Sequence, residues 1–237
     1  MVHVKNCVFL AYNDQATITM LITRREIFMQ HPIIESEIAG FQKSFHDEYT
    51  LEEFKEENDE QSYWEIYDCV TKDELHPMAI RKIIGFEHQD LNTYPTTLSR
   101  KSIILFEELG LDTFYILSHL KLDFFGSSQN NYPPLEEAHQ MLANMVKGHT
   151  YKEGFKVSLK DLPGFMETLF WICRCDPTVA EYIFICDVHE SLMLFICRYG
   201  NIHLTEFGHE KLTVTRLKKH GWRSRKKTKG GRSTIKR

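Results

Sequence analysis

Asp187, His189 and Glu190 share one short polar stretch, and His203, Glu206 and His209 follow a little further along the chain. Carboxylates and imidazoles at that density can hold a divalent ion or divide general acid and base work between them. Asp187, His189 and His203 are therefore the candidates for a metal-assisted hydrolase. The same residues are also what an ordinary hairpin tip carries, so the leading expectation is no catalytic residue at all. Cys173-x-Cys175 with Cys186 and Cys197 could supply the four thiolates of a structural zinc site. Zinc pairs normally lie in a turn with two to four residues between them. Cys173 and Cys175 instead close a helix-like segment, and the other two sit singly in strand-like runs. Buried reduced thiols are the expectation, with no metal and no cofactor. Gly230-Gly231-Arg232-Ser233-Thr234 lacks the spacing of a phosphate loop, and the hydrolase elbow, zincin and dinucleotide motifs are absent.

Charge is the stronger signal. Residues 216–237 carry eleven Lys and Arg and no acid, whereas the rest of the chain holds 18 basic and 33 acidic residues. The modest net charge of −4 thus hides two opposite objects. A like-charged run containing Gly-Gly and Ser/Thr cannot build a packed core, so residues 216–237 are expected to form a disordered basic arm. Lys218, Lys219, Arg223, Arg225, Lys226, Lys227, Lys229 and Arg232 would release counterions against phosphates, and Trp222 or His220 would stack on an unpaired base. The acidic remainder works against tight duplex binding, because it repels the same phosphates. Residues 47–74 hold twelve acids against Lys55 and Lys72. Glu52, Glu53, Glu56, Glu57, Asp59 and Glu60, with Trp64 among them, could dock a basic partner such as a nuclease toxin.

The elements that must position these residues follow from hydrophobic periodicity. With 42% hydrophobic and 26% charged residues in 237, the chain has an ordinary globular composition. No apolar run reaches the roughly 18 residues of a membrane span, and the N-terminus lacks a secretory signal, so a cytoplasmic protein is expected. The first thirty or so residues alternate as a β-hairpin, from His3 to Tyr12 and from Ala16 to Thr23. Ile34, Ile38, Phe41 and Phe45 then form one helical stripe. Thr50-x-x-Glu53, Ser62-x-x-Glu65 and Thr71-x-x-Glu74 have the capping-box spacing. Pro77 is expected to open a helix carrying Ile80, Ile83 and Ile84. Another helix runs from Ser99 to Gly110 with Ile103, Ile104, Phe106 and Leu109 on its apolar face, and a third from Pro134 to Gly148. The loop-like stretch from Gly126 to Pro133 marks a boundary.

From Ser158 a helix carries Phe165, Met166, Leu169 and Phe170 and breaks at Asp176-Pro177. Strand-like runs at 181–186, 192–198 and 201–205 then form a β-meander, with a tight turn at Gly200. The expected fold is α+β: an N-terminal hairpin, a helical middle, a C-terminal helix with antiparallel meander, and the basic tail. The expected regions are 1–130, 131–215 and 216–237, the first two sharing one domain or forming two lobes. In outline, the helix, Asp176-Pro177 and the meander through Cys197-Arg198-Tyr199-Gly200-Asn201 resemble small bacterial interaction proteins, immunity proteins among them. The resemblance covers about the last third of the chain and transfers no residue roles. The expected function is a non-enzymatic interaction protein whose basic arm contacts nucleic acid or another polyanion. The alternatives are an immunity or antitoxin protein acting through its acidic face, and the hydrolase.

Overall fold

The computed structural model describes residues 20–48, 60–69, 78–126 and 131–225. Among them, strands β1 (Met20–Ile22), β2 (Ala79–Gly85), β3 (Thr113–Ser118), β4 (Gly154–Ser158), β5 (Ile183–Asp187), β6 (Leu192–Ile196), β7 (Ile202–Phe207) and β8 (Arg223–Arg225) form one sheet. Its order is β1-β4-β3-β5-β6-β7-β2-β8 and every pairing is antiparallel. The helices are α1 (Arg24–Gln30), α2 (Pro32–Glu48), α3 (Glu60–Ile66), α4 (Tyr94–Leu109), α5 (Pro133–Val146), α6 (Leu162–Cys175) and α7 (Val214–Lys219). The α+β class and the closing helix-plus-meander are as expected.

Strand alternation assigns the helices to opposite faces of the sheet. Ile183, Ile185, Leu192, Leu194, Ile202 and Leu204 point to the face covered by α4, α5 and α6. Phe184, Cys186, Met193 and Phe195 point to the other face, where Ile27 and Phe28 of α1 and Ile34 and Ile38 of α2 cover them. Covering both faces explains why β5 and β6 read as continuous apolar runs, with every residue buried. Each such side chain contributes roughly 1.5–3 kcal/mol of burial. The α2 stripe is the expected one: Phe41 continues it edge-on to Phe184 at 4.9 Å.

One polar network crosses this packing. Arg24, 1% exposed, donates through Nε and Nη2 to both oxygens of Asp68 at 2.7 and 2.9 Å, and through Nη1 to the Ser118 carbonyl at 2.5 Å. Gln42 Nε2 donates to Asp68 Oδ1 at 2.9 Å and to the His119 carbonyl at 2.8 Å, while its Oε1 accepts from the Cys69 amide at 3.0 Å. The network joins α1, α2, the segment after α3 and the end of β3.

Several expectations are corrected. Residues 79–85 form a strand, not a helix: Ile83 and Ile84 pair with His203 and Ile202 of β7 and with β8 on the other side. Isoleucine suits a ladder flanked on both sides better than a helix. Helix α4 starts at Tyr94, with Pro95 in its first turn, so Ser99 lies inside it and donates to Glu167 Oε1 at 2.9 Å. Ile104 is not on the core face of α4 but 43% exposed. Lys147 (φ +54°), rather than Gly148, takes the left-handed position that ends α5. Strands from both sides of residue 131 alternate in the one sheet.

The first arm of the expected N-terminal hairpin lies outside the described residues, and Met20–Ile22 pairs with β4. Thr50-x-x-Glu53 and Thr71-x-x-Glu74 also lie outside them, and Ser62 falls within the bounds of α3. A capping box forms at Thr23-x-x-Glu26: the Glu26 amide donates to Thr23 Oγ1 at 3.2 Å and the Thr23 amide to Glu26 Oε2 at 2.9 Å. No described helix is long and apolar enough to cross a membrane.

Candidate functional site

The basic segment begins as folded structure. Thr213 caps α7 by accepting the Arg216 amide on its hydroxyl at 3.3 Å. Lys218 and Lys219 fall in the last turn of that helix, where cations oppose its negative end. The chain then reverses at Gly221, whose φ of +71° favours glycine and whose Cβ, if present, would stand 2.9 Å from Lys101 Nζ. Trp222 is buried at 1% exposure, edge-on to Phe86 at 5.4 Å, and Arg223–Arg225 form the edge strand β8 against β2. Residues 216–225 are therefore not a free arm, and Trp222 is a core residue rather than a base-stacking one. A large aromatic ring beside an apolar core recovers more free energy buried than in water, whatever the charge of its sequence neighbours. Lys226, Lys227, Lys229 and Arg232 lie outside the described residues.

Folding brings this segment against α4. Arg100, Lys101, Ile104, Lys219 and His220 line a groove of about 380 Å³. Arg100, Ile104 and Glu108 stand one above another on α4, since residues four apart share a helix face. Lys101 Nζ donates to the His220 carbonyl at 2.6 Å and lies over the rings of Phe86 and Trp222 at 5.5 and 5.8 Å. Burial, with Arg100 beside it, lowers the Lys101 pKa. At the far end Glu108 meets Arg216 Nε at 3.5 Å, Lys219 Nζ at 3.5 Å and His220 Nε2. Partial burial acts to raise the Glu108 pKa, but the His220 hydrogen bond and the Lys219 and His220 charges outweigh it and hold the carboxyl ionised. Arg223 is paired with Glu87. Lys218 and Arg100 are exposed and enter no ion pair among the described residues. The groove is thus a cationic surface with one apolar wall, able to accept an anion.

The hydrolase constellation is not brought together. Asp187 accepts the amides of His189, Ser191 and Leu192 at 2.7–2.8 Å, so its carboxylate builds the β5–β6 turn. Glu190, at φ +54°, takes the amides of Ile33 and Ile34 on Oε1 and caps the first turn of α2. Glu206 is buried against Lys82 Nζ at 2.6 Å and accepts the Lys211 and Leu212 amides. His203 stacks on Phe195 at 4.5 Å, and strand alternation puts it on the opposite side of the sheet from Glu206. His189 is exposed at the turn. These carboxylates are spent on backbone amides, a structural use that residue spacing alone does not distinguish from a catalytic one.

The zinc quartet is not assembled either. Cys173 and Cys175 pack against the core on the α6 side, Cys186 lies in the core on the α2 side, and no cluster of three or more metal-ligating side chains occurs among the described residues. Burial pushes the Cys173 thiol up to about 12. Of the acidic candidates, Glu52, Glu53, Glu56, Glu57 and Asp59 lie outside the described residues. Glu60 opens α3, and Trp64 on the same helix is 40% exposed. From sequence Ile104 is expected on the apolar face of its helix, and Arg100 and Lys101 carry no expectation. Their signal was the Arg-x3-Ile-x3-Glu spacing on a helix whose buried face is Leu98, Ser102, Leu105 and Phe106.

Comparison with family models, with curated proteins and with solved structures finds no match for the chain.

Proposed function

We propose that this chain is a binding protein that contacts nucleic acid or a related polyanion through the corner formed by α4, α7 and β8. The observation that carries the reading is the groove of Arg100, Lys101, Lys219 and His220 at the sheet edge where the chain enters Lys226-Lys227-Thr228-Lys229. Each cation set against a phosphate releases condensed counterions, which supplies sequence-independent affinity. Binding rather than turnover suits a chain whose candidate carboxylates Asp187, Glu190 and Glu206 are engaged by backbone amides. The buried free cysteines fit a reducing compartment, so we place the protein in the cytoplasm.

The test is fluorescence anisotropy with labelled oligonucleotides, comparing the natural chain with Arg100→Glu/Lys219→Glu. The reading expects affinity to fall about tenfold or more; unchanged affinity would remove the corner from it. A second reading, capture of a basic protein by the acidic segment, keeps one observation, the exposed Trp64 on α3. Co-purification of one stoichiometric basic protein, insensitive to nuclease, would favour it.

A further inference from the structure

Resting on that reading, the geometry points to a narrower ligand class: we infer that the groove takes a single-stranded segment of nucleic acid, seating a phosphate among the cations and an unstacked base against Ile104 and His220. Ile104 is 43% exposed, yet it stands between Arg100 and Glu108 on the same face of α4 and lines the groove with Arg100 rather than joining the core. A purely phosphate-reading surface gains nothing from a branched apolar side chain there, and duplex, which shows its charged backbone and base edges, hides its base faces in the stack. A splayed nucleotide offers both an anion and a flat apolar face within a few ångströms, which is the pairing of surfaces found here. His220 also lines the groove; its carbonyl accepts from Lys101 and its Nε2 meets Glu108. The apolar platform expected at Trp222 is supplied instead by the exposed Ile104, with the half-buried His220 beside it.

Charge favours the same class. Outside residues 216–237 the chain carries 33 acids against 18 bases, and that excess opposes the denser charge of duplex more than that of a single strand. Glu108 lies at the end of the groove away from Arg100, where its carboxylate meets Arg216, Lys219 and His220, so the cations at the Arg100 end stay available to a phosphate.

The experiment measures anisotropy of fluorescein-labelled fifteen-nucleotide oligo-dT and oligo-U, a duplex of the same length, and inorganic polyphosphate as a competitor without bases. It compares the full chain with Ile104→Ser and Arg100→Glu. Ile104 is exposed, so Ile104→Ser leaves the fold intact, and circular dichroism checks that. The expected result is that Ile104→Ser loses about fivefold or more affinity for both single strands while duplex and polyphosphate binding stay unchanged. Arg100→Glu should weaken all four. Loss with oligo-U alone would narrow the ligand to RNA, and loss with oligo-dT alone to DNA, both within the inference. Equal losses on polyphosphate and single strands, or no loss on either, would overturn the base contact while leaving polyanion binding standing. Absence of binding to all four by the natural chain would overturn the proposed function itself.

Discussion

Lys101 and His220 are joined across the corner of the fold: Lys101 Nζ donates to the His220 carbonyl at 2.6 Å, and the same ammonium lies over the ring of Trp222. One cation therefore fixes the C-terminal segment to α4 and lines the groove. Buried anchoring and surface charge, which the sequence presents as separate, meet in a single side chain.

Lys101→Met keeps the aliphatic stem but removes the donor and the charge over two rings. It should cost about 1 kcal/mol in urea unfolding and weaken oligonucleotide binding more than its lost charge alone predicts, because the His220 wall loosens. A variant as stable as the natural chain and unchanged in binding would show that the contact organises nothing.

Asp68→Ala leaves the Arg24 guanidinium buried with only the Ser118 carbonyl, since Asp68 supplies both of its side-chain acceptors. Uncompensated buried charge of this kind costs about 3–5 kcal/mol. Arg24→Met, which removes the charge together with its need for a partner, should cost less. Chemical denaturation of the two variants gives the order directly, and the reverse order would contradict the role given to Asp68.

His119 is fully buried at the end of β3 under Phe45 and Tyr182, and burial holds its pKa down to about 4, opposed by the Tyr182 carbonyl and assisted by the Arg24 charge. The folded state therefore prefers the neutral imidazole, and below pH 6.5 the unfolded chain binds a proton that the folded one refuses. The contribution is complete above pH 6.5, declines as the pH falls towards 4 and is level below that. It amounts to roughly 3 kcal/mol at most. The difference in unfolding free energy between the natural chain and His119→Asn, followed from pH 7 to pH 4, should shrink through that window. A constant difference would mean that His119 titrates normally.

The meander was legible because its pattern is local: apolar runs, polar turns, and Gly200, whose φ of +82° and contact with Tyr94 leave no room for a side chain. The α2 stripe was legible for the same reason. Arg24 was not, because its partners lie 44 and 94 residues away and nothing in its own neighbourhood marks it for burial. Trp222 misled because its neighbours are cationic while its ring belongs with Phe86, on a strand's exit far back in the chain. Ile80, Ile83 and Ile84 fit a helical spacing, and only pairing with β7 and β8 selects the strand. The groove joins residues of α4 to the chain after α7, so the charge asymmetry showed that a cationic surface exists without showing its shape.

Salt dependence of binding tests whether this corner reads phosphates. With oligo-dT, a plot of log K against log[salt] should be linear, with a slope near −4 if about six phosphates are neutralised. Arg100→Ala/Lys218→Ala, which removes two cations that enter no ion pair among the described residues, should make the slope shallower by about 1.4. A slope near zero for the natural chain, or one unmoved by the double substitution, would contradict the account.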